Sequence, residues 1–349
     1  MIDLRSDTVT RPTEAMLESM REASLGDDSR DGDATVIELE ALAAERLGKE
    51  AAAYMPSGTM TNLVAVLTHT QRAGEVLLEA GAHILNSELG GITALAGAFY
   101  KGLPGSRGAM DLTRLEEAMR PATRNNFGTA LVCMETSHNR AGGTILPIEH
   151  MRAVHSLARE RGIPVHTDGA RVFNAAVALK VDARNVAEHT DSIGFCVSKG
   201  LSAPVGSLLC GSAAYVERAR AFRRMVGGNM RQAGPLAAAG IVALESMIDR
   251  LGEDHATAKR LAQGLHAISP ALVNLDEVET NIVRVDVSAT GHAAAAWSAE
   301  LAKQGVMVSP ADRTTLRFVT HRHIGAGDID ETLAAWKAVW RRLGRPDQS

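Results

Sequence analysis

The sequence predicts an α/β protein, with a large domain on a mostly parallel sheet followed by a smaller α+β domain. Three observations predict it. The 349 residues suffice for about two domains at roughly 150 residues each. Through the middle of the chain, short apolar runs bounded by turn residues alternate with stretches of helical periodicity. That is the pattern of parallel strands joined by crossover helices. Beyond about residue 250 strand-like and helical segments alternate more closely. The boundary is set between 245 and 255, giving a large domain 1–250, which includes an extended N-terminal arm, and a small domain 251–349.

Taken in order, residues 1–12 read as extended, and Pro12 opens a helix over 13–21. The polar, glycine-containing stretch 26–33 predicts a loop. Ile37, Ala41 and Ala44 recur at helical spacing within 35–47. Further helices are expected over 60–70, 112–119, 148–161, 215–225 and 235–247. Strands are expected over 76–78, 130–134, 163–166, 193–197 and 207–210. In the C-terminal domain, strands over 281–287, 306–309 and 316–319 alternate with helices over 292–304 and 328–343.

Composition narrows the function. With 45% hydrophobic and 22% charged residues, disorder is not the main state. Six Phe, three Tyr and three Trp offer few stacking platforms for single-stranded nucleic acid. A net charge of −4 gives no footprint for a polyanion, so no nucleic-acid partner is expected. Three cysteines in apolar runs favour reduced thiols and a cytoplasmic location. The first residues lack the basic and apolar regions of a secretory signal. No apolar run reaches the ~18 residues of a membrane span.

Three motifs carry chemistry. Ser198-Lys199-Gly200 follows a strand-like run and precedes a loop of small residues. Lys199 there is either an ordinary exposed lysine or a desolvated amine able to form a Schiff base. Asp168 falls at the carboxyl end of a predicted strand, where open α/β sheets bind ligands. It is either a cap for the next turn or the carboxylate that keeps a pyridinium ring protonated. Ser57, Gly58 and Thr59 lead into a helix. They are a plain N-cap or a phosphate cradle of hydroxyls, backbone N–H groups and helix dipole. Together the three motifs supply a handle for each end of pyridoxal 5'-phosphate.

The sequence resembles the low-specificity L-threonine aldolases, pyridoxal-phosphate enzymes of the aspartate-aminotransferase-like fold (fold type I). The resemblance rests on Leu4-Arg-Ser-Asp-Thr-Val-Thr-Arg-Pro12, Pro56-Ser-Gly-Thr59, Ala82-His83, Glu135-Thr-Ser-His138-Asn139, Asp168-Gly-Ala-Arg-Val-Phe-Asn-Ala175, Ser198-Lys-Gly-Leu-Ser-Ala-Pro-Val-Gly206, Gly227-Gly-Asn-Met-Arg-Gln232 and Arg317-Phe-Val-Thr-His321. It implies a cytoplasmic homotetramer, a dimer of dimers with active sites shared between subunits. It implies retro-aldol cleavage of L-β-hydroxy-α-amino acids to glycine and an aldehyde. The alternative on the same scaffold is a β-eliminating lyase or dehydratase.

The resemblance also implies roles. Lys199 carries the cofactor, Asp168 partners its ring nitrogen, and Ser57, Gly58 and Thr59 hold its phosphate. Arg231, and less so Arg224, reach a phosphate or substrate from the partner chain. Arg171, Arg317 and Ser6 bind the substrate carboxylate. His83 covers one face of the ring and moves protons, with His138 the second candidate and Glu88 orienting a water or the hydroxyl. No metal is implied. One departure stands out: where the family usually has Val-Tyr, this chain has Ser29-Arg30, and Ala34 replaces a usual Pro. Arg30 either points to solvent or shifts the substrate range toward an acidic side chain.

Overall fold

The fold is described from a computed structural model over residues 1–344; the last five residues of the expected small domain lie outside the described residues. Apart from a short antiparallel hairpin of Gly105–Ser106 and Ala109–Met110, its strands, in chain order, are β1 (Ile2–Asp3), β2 (Ala51–Met55), β3 (Glu75–Glu79), β4 (Phe99–Leu103), β5 (Thr129–Glu135), β6 (Val165–Asp168), β7 (Ser192–Cys196), β8 (Ser207–Gly211), β9 (Ile282–Asp286), β10 (Val306–Met307), β11 (Ser309–Pro310) and β12 (Thr315–Val319). The longer helices are α1 (Glu14–Glu22), α2 (Ala34–Leu47), α3 (Gly58–His69), α4 (Ile148–Arg159), α5 (Val172–Leu179), α6 (Ala213–Met225), α7 (Gly234–Ser246), α8 (Leu251–Ile268), α9 (Ala294–Lys303) and α10 (Ala326–Leu343).

Seven strands form the main sheet in the order β2-β8-β7-β6-β5-β3-β4. All run parallel except β8, which is antiparallel to both β2 and β7. Helices cover both faces, so the central strands read as unbroken apolar runs. Two strands were not expected from the sequence. Ala51–Met55 is an alanine-rich run that carries no strand signal of its own. It becomes a strand because it is buried and pairs along its whole length with β8, a case of tertiary pairing overriding local propensity. Phe99–Leu103 is an exposed edge strand containing Lys and Gly, so it lacks the apolar run that marks a central strand.

The C-terminal part holds a three-stranded antiparallel sheet, β9-β12-β11, covered by α8, α9 and α10. Trp297 and Trp336 stack at 4.7 Å in its core. Helix α8 was not expected, although Leu251, Ala258, Leu261, Ala262 and Leu265 are buried at helical spacing. The strand expected over 306–309 is split. Its first half pairs in parallel with β1, its second with β12. Ile2 and Leu4 therefore lie in the C-terminal core, although the sequence reading grouped the arm with residues 1–250.

The arm then crosses to the large sheet. Asp7 is wholly buried and receives two hydrogen bonds from Arg171, Nε to Oδ2 and Nη2 to Oδ1, each 2.7 Å. Asn281, beside β9, donates a third at 3.2 Å. Burial alone would raise the Asp7 carboxyl, but the Arg171 guanidinium outweighs it and holds it well below the usual range. Asp7→Ala leaves a buried guanidinium unpaired and is expected to cost about 3–5 kcal/mol, read from urea unfolding at neutral pH. The lowered carboxyl stabilises the fold fully above the unfolded value near 4 and ever less as pH falls below it. The gap between wild type and variant therefore narrows in acid.

Candidate active site

The carboxyl ends of the sheet strands open into a cavity of about 250 Å³. Four connections supply its walls. After β2 the chain turns at Pro56 and starts α3, with the Ser57 hydroxyl capping the Met60 N–H at 3.2 Å. Gly58 is required there, since a Cβ would come within 2.8 Å of Cys196 Sγ. The cavity thus meets the free N–H groups of a twelve-residue helix, a built anion site. Asp168 ends β6. Its carboxylate accepts from Asn62 Nδ2 at 2.9 Å and from the Ala170 N–H at 3.0 Å. Lys199 follows β7, and its carbonyl is held by the Thr10 hydroxyl at 2.8 Å. The loop closing behind it returns at Gly206, where φ is +119° and a Cβ would strike the Tyr54 ring.

The fourth wall comes from the turn beginning at His83, after β3. His83 Nδ1 lies 2.9 Å from Glu88 Oε1, and Glu135 accepts the His83 backbone N–H at 2.6 Å. Ligand atoms of His83, Glu88 and Asp168 all lie within 4.8 Å of one another. The Glu88 hydrogen bond pushes the His83 imidazole pKa up. Burial pushes the Glu88 carboxyl up, against the bond from His83. Because Nδ1 donates to Glu88, the Nε2 lone pair of neutral His83 is free.

A second cavity of about 560 Å³ adjoins the first and shares Asn139 with it. His138 and Arg317 line it. His138 Nδ1 accepts the Ala141 N–H at 3.2 Å, and Nε2 faces the Glu79 carboxylate at 3.1 Å without the geometry of a hydrogen bond. The Arg317 guanidinium has no acidic partner among the described residues, and its Nε is buried and unbonded. Burial, reinforced by nearby Arg171, pulls it down to about 10.

Ser57, Gly58, Thr59, His83, Glu88, Asp168, Arg171 and Lys199 thus meet in one cavity, with His138 and Arg317 in the next. Four residues from the sequence reading line neither. The Ser6 hydroxyl accepts from Thr8 within the arm. Arg30 is exposed, 3.6 Å from Asp27, and Arg231 pairs with the same Asp27 at 3.1 Å. Arg224 is exposed on the last turn of α6. Thr8, Asn62, Glu135, Ser137, Asn139 and Cys196 line the first cavity and were not singled out from sequence. Glu135 carried a usable signal, because it too ends a parallel strand. Asn62 carried none.

A helix-start cradle, a strand-end carboxylate and an amine sharing one cavity at the carboxyl edge of a parallel sheet define a cofactor-dependent α/β enzyme site. The chain belongs to the beta-eliminating lyase family, whose model matches residues 3–288. It is 38% identical to low-specificity L-threonine aldolase 1 of Arabidopsis thaliana, over 100% of this chain and 99% of that protein. It is 39% identical to the low specificity L-threonine aldolase of Escherichia coli, over 98% of this chain and 100% of that protein. The solved threonine aldolase of Leishmania major has the same fold, with a TM-score of 0.83, 17% identity, and coverage of 97% of this chain and 99% of that one.

The Glu88→Gln protein is expected to show a lower His83 pKa than wild type, since the change removes the charge that favours imidazolium. An NMR titration of the imidazole reads this, and an unchanged midpoint contradicts the pairing.

Proposed function

We propose that the protein is a pyridoxal-phosphate-dependent aldolase that cleaves L-β-hydroxy-α-amino acids, threonine or its relatives, to glycine and an aldehyde. The observation that carries the reading is the meeting of the α3 start, Asp168 and Lys199 in one cavity. Their donor and acceptor chemistry fits the phosphate, the ring nitrogen and the aldehyde carbon of that cofactor. When bound, it supplies an electron sink for the charge left at Cα.

The chain's own residues do the rest. Ser57, Gly58 and Thr59 hold the phosphate, Asp168 keeps the ring nitrogen protonated, and Lys199 provides the amine. Asp7 neutralises Arg171 and makes no bond to Arg317, so this corner keeps one net positive charge for the substrate carboxylate. Holding that group would fix the orientation of Cα, so that the Cα–Cβ bond is the one the bound cofactor would activate. His83, with Nε2 free, takes the β-hydroxyl proton. His138 lines the second cavity rather than the one that holds Lys199 and Asp168, and is the weaker candidate. The polar second cavity receives the substrate side chain.

The proposal extends to assembly and location. Exposed Leu89, Leu95, Phe99 and Tyr100 lie close in sequence to the His83 turn, which supports subunit contacts beside the site, as the homotetramer implied by the family would make. In such an assembly Arg30, Arg224 and Arg231 would serve a neighbouring subunit's site. Three buried free thiols support a reducing, cytoplasmic setting. No described helix is long and apolar enough to cross a membrane.

Product analysis over a panel of β-hydroxy amino acids, anionic ones included, tests the reading. Glycine and an aldehyde in equal amounts are expected, whereas a 2-oxo acid with ammonia would establish elimination instead. Lys199→Ala is expected to abolish turnover. His83→Ala is expected to lower kcat by about 10²–10⁴-fold, and His138→Ala by less.

A further inference from the structure

Beneath the cavity runs a chain of buried polar side chains that the reaction above does not use. It starts at Asn62, on α3, which is 3% exposed. The amide nitrogen of Asn62 lies 2.8 Å from Glu88 Oε1 and 2.9 Å from Asp168 Oδ2. An ionised carboxylate only accepts. The –NH₂ group must therefore face the two acids, and Asn62 Oδ1 must face the other way.

That assignment propagates. Asn62 Oδ1 is 3.2 Å from His166 Nε2, so Nε2 carries the hydrogen. His166 is wholly buried, and burial pulls it down to about 4, so at neutral pH its Nδ1 is a bare lone pair. Ser192 Oγ, 2.9 Å away, donates to it. With its one hydrogen spent, the Ser192 oxygen accepts from His69 Nε2 at 2.7 Å. Every hydrogen from His69 to Asn62 thus points toward the two carboxylates, an arrangement in which each bond polarises the next.

We propose that Asn62 is a positioning residue that sets the charge state of the site: its single amide joins the acid of the cofactor ring, Asp168, to the acid that orients His83, Glu88, and keeps both ionised side by side. The His166–Ser192–His69 chain locks the amide in the one orientation that does this. Without the amide, two buried carboxylates face each other with fewer donors, and like charge makes one of them take up a proton. The inference rests on the proposed cofactor, but its central premise, the hydrogen order of the chain, does not.

Two measurements test it. The first uses wild-type protein without turnover. ¹⁵N NMR of the histidine rings is expected to show His166 and His69 as neutral Nε2–H tautomers at pH 7, and a Nδ1–H tautomer at His166 overturns the inference. The second is a double-mutant cycle read by pyridoxal-phosphate affinity and by the pH titration of the bound cofactor's absorbance. Asn62→Leu is expected to weaken cofactor binding by about 10–100-fold, the worth of one hydrogen bond to a charged group. In the Glu88→Gln background, where one of the two facing charges is gone, the same substitution costs much less. Effects that simply multiply across the cycle mark Asn62 as packing alone and overturn the inference. A failed aldolase assay with the tautomers and the coupling intact would count against the reaction, not against Asn62.

Discussion

The site depends first on the Asp7–Arg171 pair. Two opposite charges leave water completely, which is tolerated only because both Arg171 donors and Asn281 converge on one carboxylate. The pair joins three pieces of chain that are far apart in sequence: the arm, the loop after β6 and the segment entering β9. Arg171 precedes α5 by one residue, so fixing its side chain also fixes the turn after Asp168. Arg317 then stands near an arginine whose charge is already matched, and remains an unneutralised cation beside it.

Sheet topology places the remaining groups. Parallel strands deliver Asp168, Glu135 and the Lys199 segment to the same edge. The reversal into antiparallel β8 is what brings the chain back after Lys199. Gly206 makes that return possible by occupying a backbone region closed to other residues, against the ring of Tyr54. The cradle opposite is a consequence of β2, whose end launches α3 into the same cavity.

Much of this was legible in the sequence. The apolar runs ending at Asp168 and just before Ser198, and the small residues at the start of α3, are local signals. They led to the alternating architecture and to the three groups that share the cavity. Strand β2 was hidden because alanine carries no strand preference and only pairing with β8 makes it one. The arm's attachment to β10 was hidden because two residues of parallel pairing leave no pattern. Asn62 was hidden for a different reason: a buried amide on a helix looks like any polar residue until its neighbours are known. The Asp7 pairing was likewise invisible, and it gives Arg171 a structural partner alongside its proposed substrate role.

The arm has a consequence for how the protein is made. Its second and third residues pair with Val306 and Met307, and Asp7 needs both Arg171 and Asn281. A chain emerging from the ribosome carries this arm for nearly its whole synthesis before the strand that seats it exists. Contacts of such sequence separation close late in folding. The large sheet therefore has the chance to form with Arg171 still unpaired. The Asp7–Arg171–Asn281 junction is then completed only when the segments around β9 and β10 arrive, and a chain terminated before them would be left folded in part yet without that junction.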